Sequence, residues 1–237
     1  MTPALLDNVT HRHLRLHTER AAHLGDARQF ALALPAEFRQ LQAHFPIVFQ
    51  SVGDADFQPI VLLGLEEGQN LFLTDAGWDA PVVPMALQRD PFLIGRNGDA
   101  LQLHIDMDSP RIVRPEEGDV GTAVFMPHGG HSEYLDHVVS LLEHLHAHAQ
   151  ALPAFIGALT EHQLLEPFML DITLRDGTEG RLSGLFTIHE ERLNELPGAA
   201  LERLQRDGWL LPIYMQLASL SRLQDLVDRQ NRRTQGL

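Results

Sequence analysis

The chain has 237 residues, 44% of them apolar, a formal net charge of −14 and no cysteine. Such a length buries a substantial core, while the acidic balance repels phosphate backbones and excludes a general nucleic-acid binder or a protein of anionic membrane surfaces. The missing thiols exclude disulfides, a thiolate nucleophile and a thiolate metal site, and because all 18 basic residues are arginine, Schiff-base and P-loop chemistry lack their lysine amine.

His13 to His17 alternates Leu14 and Leu16 with polar residues and predicts a short strand. Pro35 to His44 reads as a helix, with Pro35 in its first turn and Phe38, Leu41 and Phe45 at helical spacing. A dense β-region follows: Ile47 to Val52, Pro59 to Leu65 and Asn70 to Thr74 are short apolar runs separated by Gly53-Asp54 and Glu67-Gly68 turn signals. Pro91 to Gly95 and Leu101 to Asp106 predict a hairpin across Asn97-Gly98. Short connections of this kind favour an antiparallel meander over βαβ crossovers.

Ser109 to Gly130 is rich in Pro, Gly and acid and predicts a long surface loop, a place where function often sits. Ser132 to Gln150 is the clearest amphipathic helix, with Leu135, Val138, Leu142, Leu145 and Ala149 on one stripe; Pro153 interrupts it, and Ala154 to Leu165 forms the next. Leu170, Ile172 and Leu174 alternate with polar residues, turn at Asp176-Gly177 and return through Leu182 to Ile188 as a second strand. Thr187 and Glu190 have the spacing of a capping box for the helix after it. Pro197 and Gly208 bracket a further helix, and Leu210 to Asp228 repeats Ile213, Leu217, Leu220 and Val227 as a last one. The expected fold class is therefore α+β: a central antiparallel sheet of short strands with helices packed against it, and a C-terminal β-hairpin followed by helices. With no repeat and no linker-like run, residues 1–237 are expected to form a single domain. The first thirty residues contain no apolar core of signal-peptide length, and no apolar window is long enough to span a membrane, so a soluble cytoplasmic protein is expected.

Chemistry has few places to sit. There are fourteen histidines, several of them on the helix after Ser132. Glu133, His137, His144 and His148 fall within roughly 60° of one another at 100° per residue, on the side opposite the apolar stripe. That pattern leaves two readings, a solvated helix face or a divalent metal site. Glu143 and His146 match the Glu-x-x-His spacing of di-iron bundles, but such a site needs a second facing copy. His128-Gly129-Gly130-His131 precedes the helix, where glycine serves the turn or exposed amides take an anion. Glu66-Glu67 and Glu116-Glu117-Gly118-Asp119 lack the ligand alternation of a calcium loop. Ser183 has no Gly-x-Ser-x-Gly elbow, and no dinucleotide or nucleotide phosphate-binding motif occurs. No cofactor is therefore predicted beyond that possible divalent metal.

Asn70, Trp78, Pro84, Arg89 and Phe92 gather aromatic, rigid and polar residues around the central strands. They read either as core and loop corners or as a groove at a sheet edge, in which aromatic walls and one arginine would orient a ligand or peptide.

The chain also resembles the SapC family, bacterial proteins named after a gene associated with surface-layer assembly. The resemblance is carried by His11 to Leu16, Glu37-Phe38, Phe45-Pro46-Ile47-Val48-Phe49, Asn70-Leu71-Phe72, Trp78, Val83-Pro84 and Pro91-Phe92. It resumes at Leu164-Leu165-Glu166-Pro167, Leu182-Ser183-Gly184-Leu185, Leu193 to Leu196 and Gly208-Trp209-Leu210. The chain departs from the family pattern at Arg89-Asp90-Pro91-Phe92, where the second residue is usually tyrosine and the third proline, and at Val124-Phe125-Met126. The resemblance carries no catalytic residues onto this chain. It implies a protein partner, such as a halogenase-like or oxygenase-like neighbour. The functional expectation is a non-enzymatic or accessory binding protein that recognises a peptide, protein partner or small ligand through residues 70–92. The alternatives are a metal-dependent enzyme using the histidine-rich face and a surface-layer-associated structural protein.

Overall fold

The computed structural model describes residues 2–53, 56–98 and 100–235. Among them the strands are, in chain order, β1 (Pro3–Leu5), β2 (Arg15–Leu16), β3 (Phe30–Leu32), β4 (Ile47–Gly53), β5 (Asp56–Leu62), β6 (Leu73–Thr74), β7 (Gly77–Trp78), β8 (Phe92–Asn97), β9 (Ala100–Asp106), β10 (Thr122–Ala123), β11 (Leu165–Thr173) and β12 (Glu179–Ile188). The α-helices are α1 (Phe38–Leu41), α2 (Met85–Gln88), α3 (Glu133–Ala149), α4 (Leu152–Glu161), α5 (Glu190–Asn194), α6 (Gly198–Arg206), α7 (Leu210–Ser219) and α8 (Arg222–Thr234). The strands pair antiparallel, and the α+β class holds. Among the described residues no helix is long and apolar enough to cross a membrane.

The chain divides into two compact units that interleave in sequence. The first comprises Met1–Ala27, Leu73–Asp79 and Met85–Ala147; the second comprises Arg28–Phe72, Ala80–Pro84 and His148–Leu237.

In the first unit β8 and β9 form the hairpin expected around Asn97-Gly98, with Asn97 opposite Ala100 and Gly98 at φ +62°. The glycine takes the left-handed conformation that side chains resist. Strand β1 adds to β9 to complete a three-stranded sheet. Residues 109–130 run largely at the surface, as their composition suggested, with 114–121 exposed, but the segments on either side of that stretch are held to β2. Thr122 and Ala123 pair with Leu16 and Arg15, Ile112 bridges Leu16, and Arg111, Val124 and Phe125 are buried. Polar composition reads as a loop, but backbone groups brought inside must find partners, and here they find them on β2. The closest approach is at Gly121, whose φ is +71° and where an added Cβ would lie 2.6 Å from the Leu16 carbonyl oxygen. Gly121→Ala is therefore expected to destabilise this unit by about 1–3 kcal/mol, read as a lower urea midpoint. An unchanged midpoint would show that β2 and β10 can part without loss.

The second unit is built on a five-stranded sheet in the order β11-β12-β4-β5-β3. The turn between β4 and β5 lies partly outside the described residues, but Gly53 opposes Asp56 at its base. The β11–β12 hairpin turns as expected at Asp176-Gly177, where Gly177 has φ +86° and the Asp176 carboxylate accepts the Thr178 N–H at 2.9 Å. Phe49 of β4 is fully buried, with its ring 6.4 Å from that of Phe155 on α4; Phe155 in turn meets Phe38 at 6.2 Å and Trp209 at 5.4 Å. Aromatic contacts at these distances add to an already large burial of apolar area.

Two expectations fail in this unit. Thr187 does not cap a helix: it is buried in β12 and shares a hydrogen bond with Gln216, and His189 takes the N-cap place, accepting the Arg192 N–H on Nδ1. The last helix is also two helices, α7 and α8, separated at Leu220 and Ser221. No proline or glycine marks that break, so apolar spacing carried the expected helix across it.

Candidate functional site

A concavity with ligand-like chemistry lies within the second unit. Its walls come from three segments: the 3-10 turn Pro35–Glu37 with the start of α1, the C-terminal end of α3, and the turn that opens α7. At the first, Pro35 begins the turn and the buried Glu37 carboxylate accepts the Leu34 N–H at 3.2 Å, leaving Ala36 and Arg39 exposed. At the third, Gly208 at φ +81° reverses the chain out of α6, and Trp209 N–H donates to Leu204 at 2.8 Å. Trp209 is half-buried, braced by Phe155, and Leu211 beyond it is 48% exposed. The resulting cavity is about 390 Å³, walled by Pro35, Trp209, Leu211 and Met215, with Arg39 and His148 as its charged or titratable members.

The hydrogen-bonding state of those polar groups matters more than the volume. Among the described residues the Arg39 guanidinium and the His148 imidazole make no hydrogen bond or ion pair, and the Trp209 indole N–H is neither paired nor buried. Helix α7 begins without a side-chain cap. The groove thus offers donors and no carboxylate.

A larger cavity of about 670 Å³ lies beside α4 and the β4–β5 hairpin, walled by Val52, Phe57, Leu152 and Ile156. It has the opposite polarity, containing Asp56 and Glu161, and Glu161 accepts from Arg203 at 3.0 Å.

The first unit contains the most deeply buried charges. Asp26 accepts from Arg111 at 2.6 Å, Arg20 at 3.1 Å and the Ala21 N–H at 3.0 Å. Arg111 also donates to the His17 and Glu19 carbonyls, and Arg20 to that of Leu87. Burial lowers the Arg20 guanidinium pKa, with the Arg111 charge acting the same way and Asp26 opposing. Tyr134 is raised by burial, opposed by the two guanidinium charges. With Asp26 accepting three donors, this cluster is a structural tie rather than an open site.

The residues singled out from sequence fall as follows. Glu133, His137, His144 and His148 occupy the exposed side of α3, while Leu135, Val138, Leu142 and Leu145 are buried. Among the described residues no group of three or more His, Asp or Glu side chains is placed to hold a metal ion. Of the candidate groove, Asn70 and Pro84 belong to the second unit and Trp78, Arg89 and Phe92 to the first. Asn70 is buried, its side-chain oxygen accepting the Phe72 N–H at 3.0 Å; Pro84 and Phe92 are buried as well. Trp78 and Arg89 are half-buried. Sequence proximity thus did not gather these five within one unit. Of the Trp209 groove, reading the sequence singled out His148 as a metal ligand, Pro35 and Gly208 as helix boundaries, and Trp209 as part of Gly208-Trp209-Leu210. Arg39 carried no signal, because an exposed arginine on a short helix looks the same whether or not it has a partner.

Antiparallel sheets of short strands with helices beside them define an α+β protein. The chain belongs to the SapC family, whose family model matches residues 6–226. No curated protein matches it, and no solved structure does.

Proposed function

We propose that this SapC-family protein is a binding protein, accessory to a protein partner, and that it holds an apolar segment or small ligand in the Trp209 groove. One observation carries the reading: an open concavity of about 390 Å³ whose aromatic and aliphatic walls include a half-exposed Leu211. Sites for small ligands are concave, mostly apolar and of roughly this size, with a few polar groups to fix orientation. The absence of a nucleophile elbow, thiol or phosphate-binding motif in the sequence favours binding over catalysis.

The test is calorimetric titration with N-acetyl-Leu-Phe as the probe. Saturable binding is expected, and Leu211→Ser is expected to weaken it about tenfold, since burying a leucine side chain stabilises by roughly 1.5–3 kcal/mol. Leu211 is exposed enough that the variant should fold, which circular dichroism checks. Undiminished binding by the folded variant would remove the groove from consideration.

A further inference from the structure

We infer that the occupant of the Trp209 groove carries a carboxylate, held by Arg39 and His148 at one end of an apolar body; the inference rests on the groove being the binding site. The argument is charge complementarity within a strongly acidic molecule. The chain bears a formal charge of −14, and arginines 175, 181, 203, 206 and 222 each lie within ion-pairing distance of a carboxylate. Arg39 has no such partner among the described residues, as Arg89 and Arg232 have none, and what sets it apart is the cavity that it lines. Its cavity has no acidic side chain in its lining, which also includes His148 and Trp209, and among the described residues neither the imidazole nor the indole N–H has a hydrogen-bond partner. The second cavity shows the contrast: Asp56 and Glu161 line it, and a carboxylate entering there would meet two of its own sign.

A guanidinium presents parallel N–H donors that match the two oxygens of a carboxylate, and such charge-assisted pairs are roughly twice as strong as neutral ones. The uncapped start of α7 contributes a positive dipole end in the same place. The apolar walls then exclude water from the bound body while the donors fix which end points inward. An apolar monocarboxylate meets these requirements, either as a peptide C-terminus or as an aliphatic acid. A dianion such as a phosphate does not, because its body would lack apolar contact with those walls.

The experiment compares N-acetyl-Leu-Phe with its C-terminal amide, and both with octanoate, by calorimetric titration of the full chain and of Arg39→Gln. The free acid should bind about tenfold more tightly than the amide, and that preference should collapse in Arg39→Gln. Equal binding of acid and amide to the native chain would overturn the carboxylate and leave the apolar groove standing. Binding of none of the probes would overturn both. An acid preference that persists in Arg39→Gln would overturn the role of Arg39. If octanoate binds with the same dependence on Arg39, the carboxylate belongs to an aliphatic acid; if only the peptide acid binds, it belongs to a chain terminus.

Discussion

Replacing Asp26 by alanine is expected to lower the stability of the chain by about 3–5 kcal/mol, the range found when one partner of a buried ion pair is removed. Asp26 is fully buried and stands between two guanidinium groups, Arg111 with 3% and Arg20 with 14% of its side chain exposed. Without the carboxylate Arg111 keeps the His17 and Glu19 carbonyls, and Arg20 keeps that of Leu87 with the Asp90 charge still favouring it. Arg20 can turn partly toward water. Arg111 cannot, so most of the loss should trace to it. The double variant Asp26→Ala, Arg111→Met removes the stranded charge together with its partner and should recover a good part of the difference. Urea unfolding of the three proteins measures this. A single variant less than about 1 kcal/mol below the native chain would show that the pair adds nothing beyond its desolvation cost.

How far the sequence disclosed this arrangement depends on which signals were local. Asn97-Gly98 and Asp176-Gly177 announced their hairpins because positive φ is a property of two residues, not of the fold. Helix α3 was equally legible, since its buried stripe repeats over several turns. The Asp26 cluster was not. Arg111 sits in the stretch that reads as loop, and it meets the β2 segment, whose His17 N–H donates to the Arg111 carbonyl at 2.8 Å, across roughly a hundred residues of chain. The groove failed to show for a similar reason. Pro35, Arg39, His148 and Trp209 come from three distant segments, and no spacing rule links them. What was visible was an aromatic residue after a helix-ending glycine, Gly208-Trp209. A bulky ring placed where the chain reverses is a signal worth reading as a wall.

Gln216 shows how a polar residue in an apolar stripe should be read. It lies three residues after Ile213 on α7, and the apolar spacing of that helix does not include it. The structure buries it completely. Strands β12 and β4 pair directly only where Leu185 and Phe186 meet Gln50 and Phe49. Past that point Gln216 serves both strands: its amide NH₂ donates to the Ile47 carbonyl at 2.8 Å and to the Thr187 hydroxyl at 3.0 Å, and its oxygen accepts the Ile188 N–H at 3.2 Å. Ser219, one turn on, accepts the Ile47 N–H at 2.9 Å. The side-chain amide thus stands in for a peptide group and ties α7 to the middle of the sheet. Gln216→Leu keeps the volume but leaves the Ile188 N–H without its partner and the Ile47 carbonyl with only a long contact to Ser219. At about 1–3 kcal/mol for each buried group left unsatisfied, the expected loss is about 2–4 kcal/mol, with faster hydrogen exchange at the Ile188 amide. Gln216→Glu separates the two halves of the interaction. It preserves an acceptor for Ile188 and removes the donor to Ile47, so it should stay protected at Ile188 while still losing stability. Native stability and unchanged Ile188 exchange in Gln216→Leu would mean that the strands close up on their own, and that the amide is a passenger in the core.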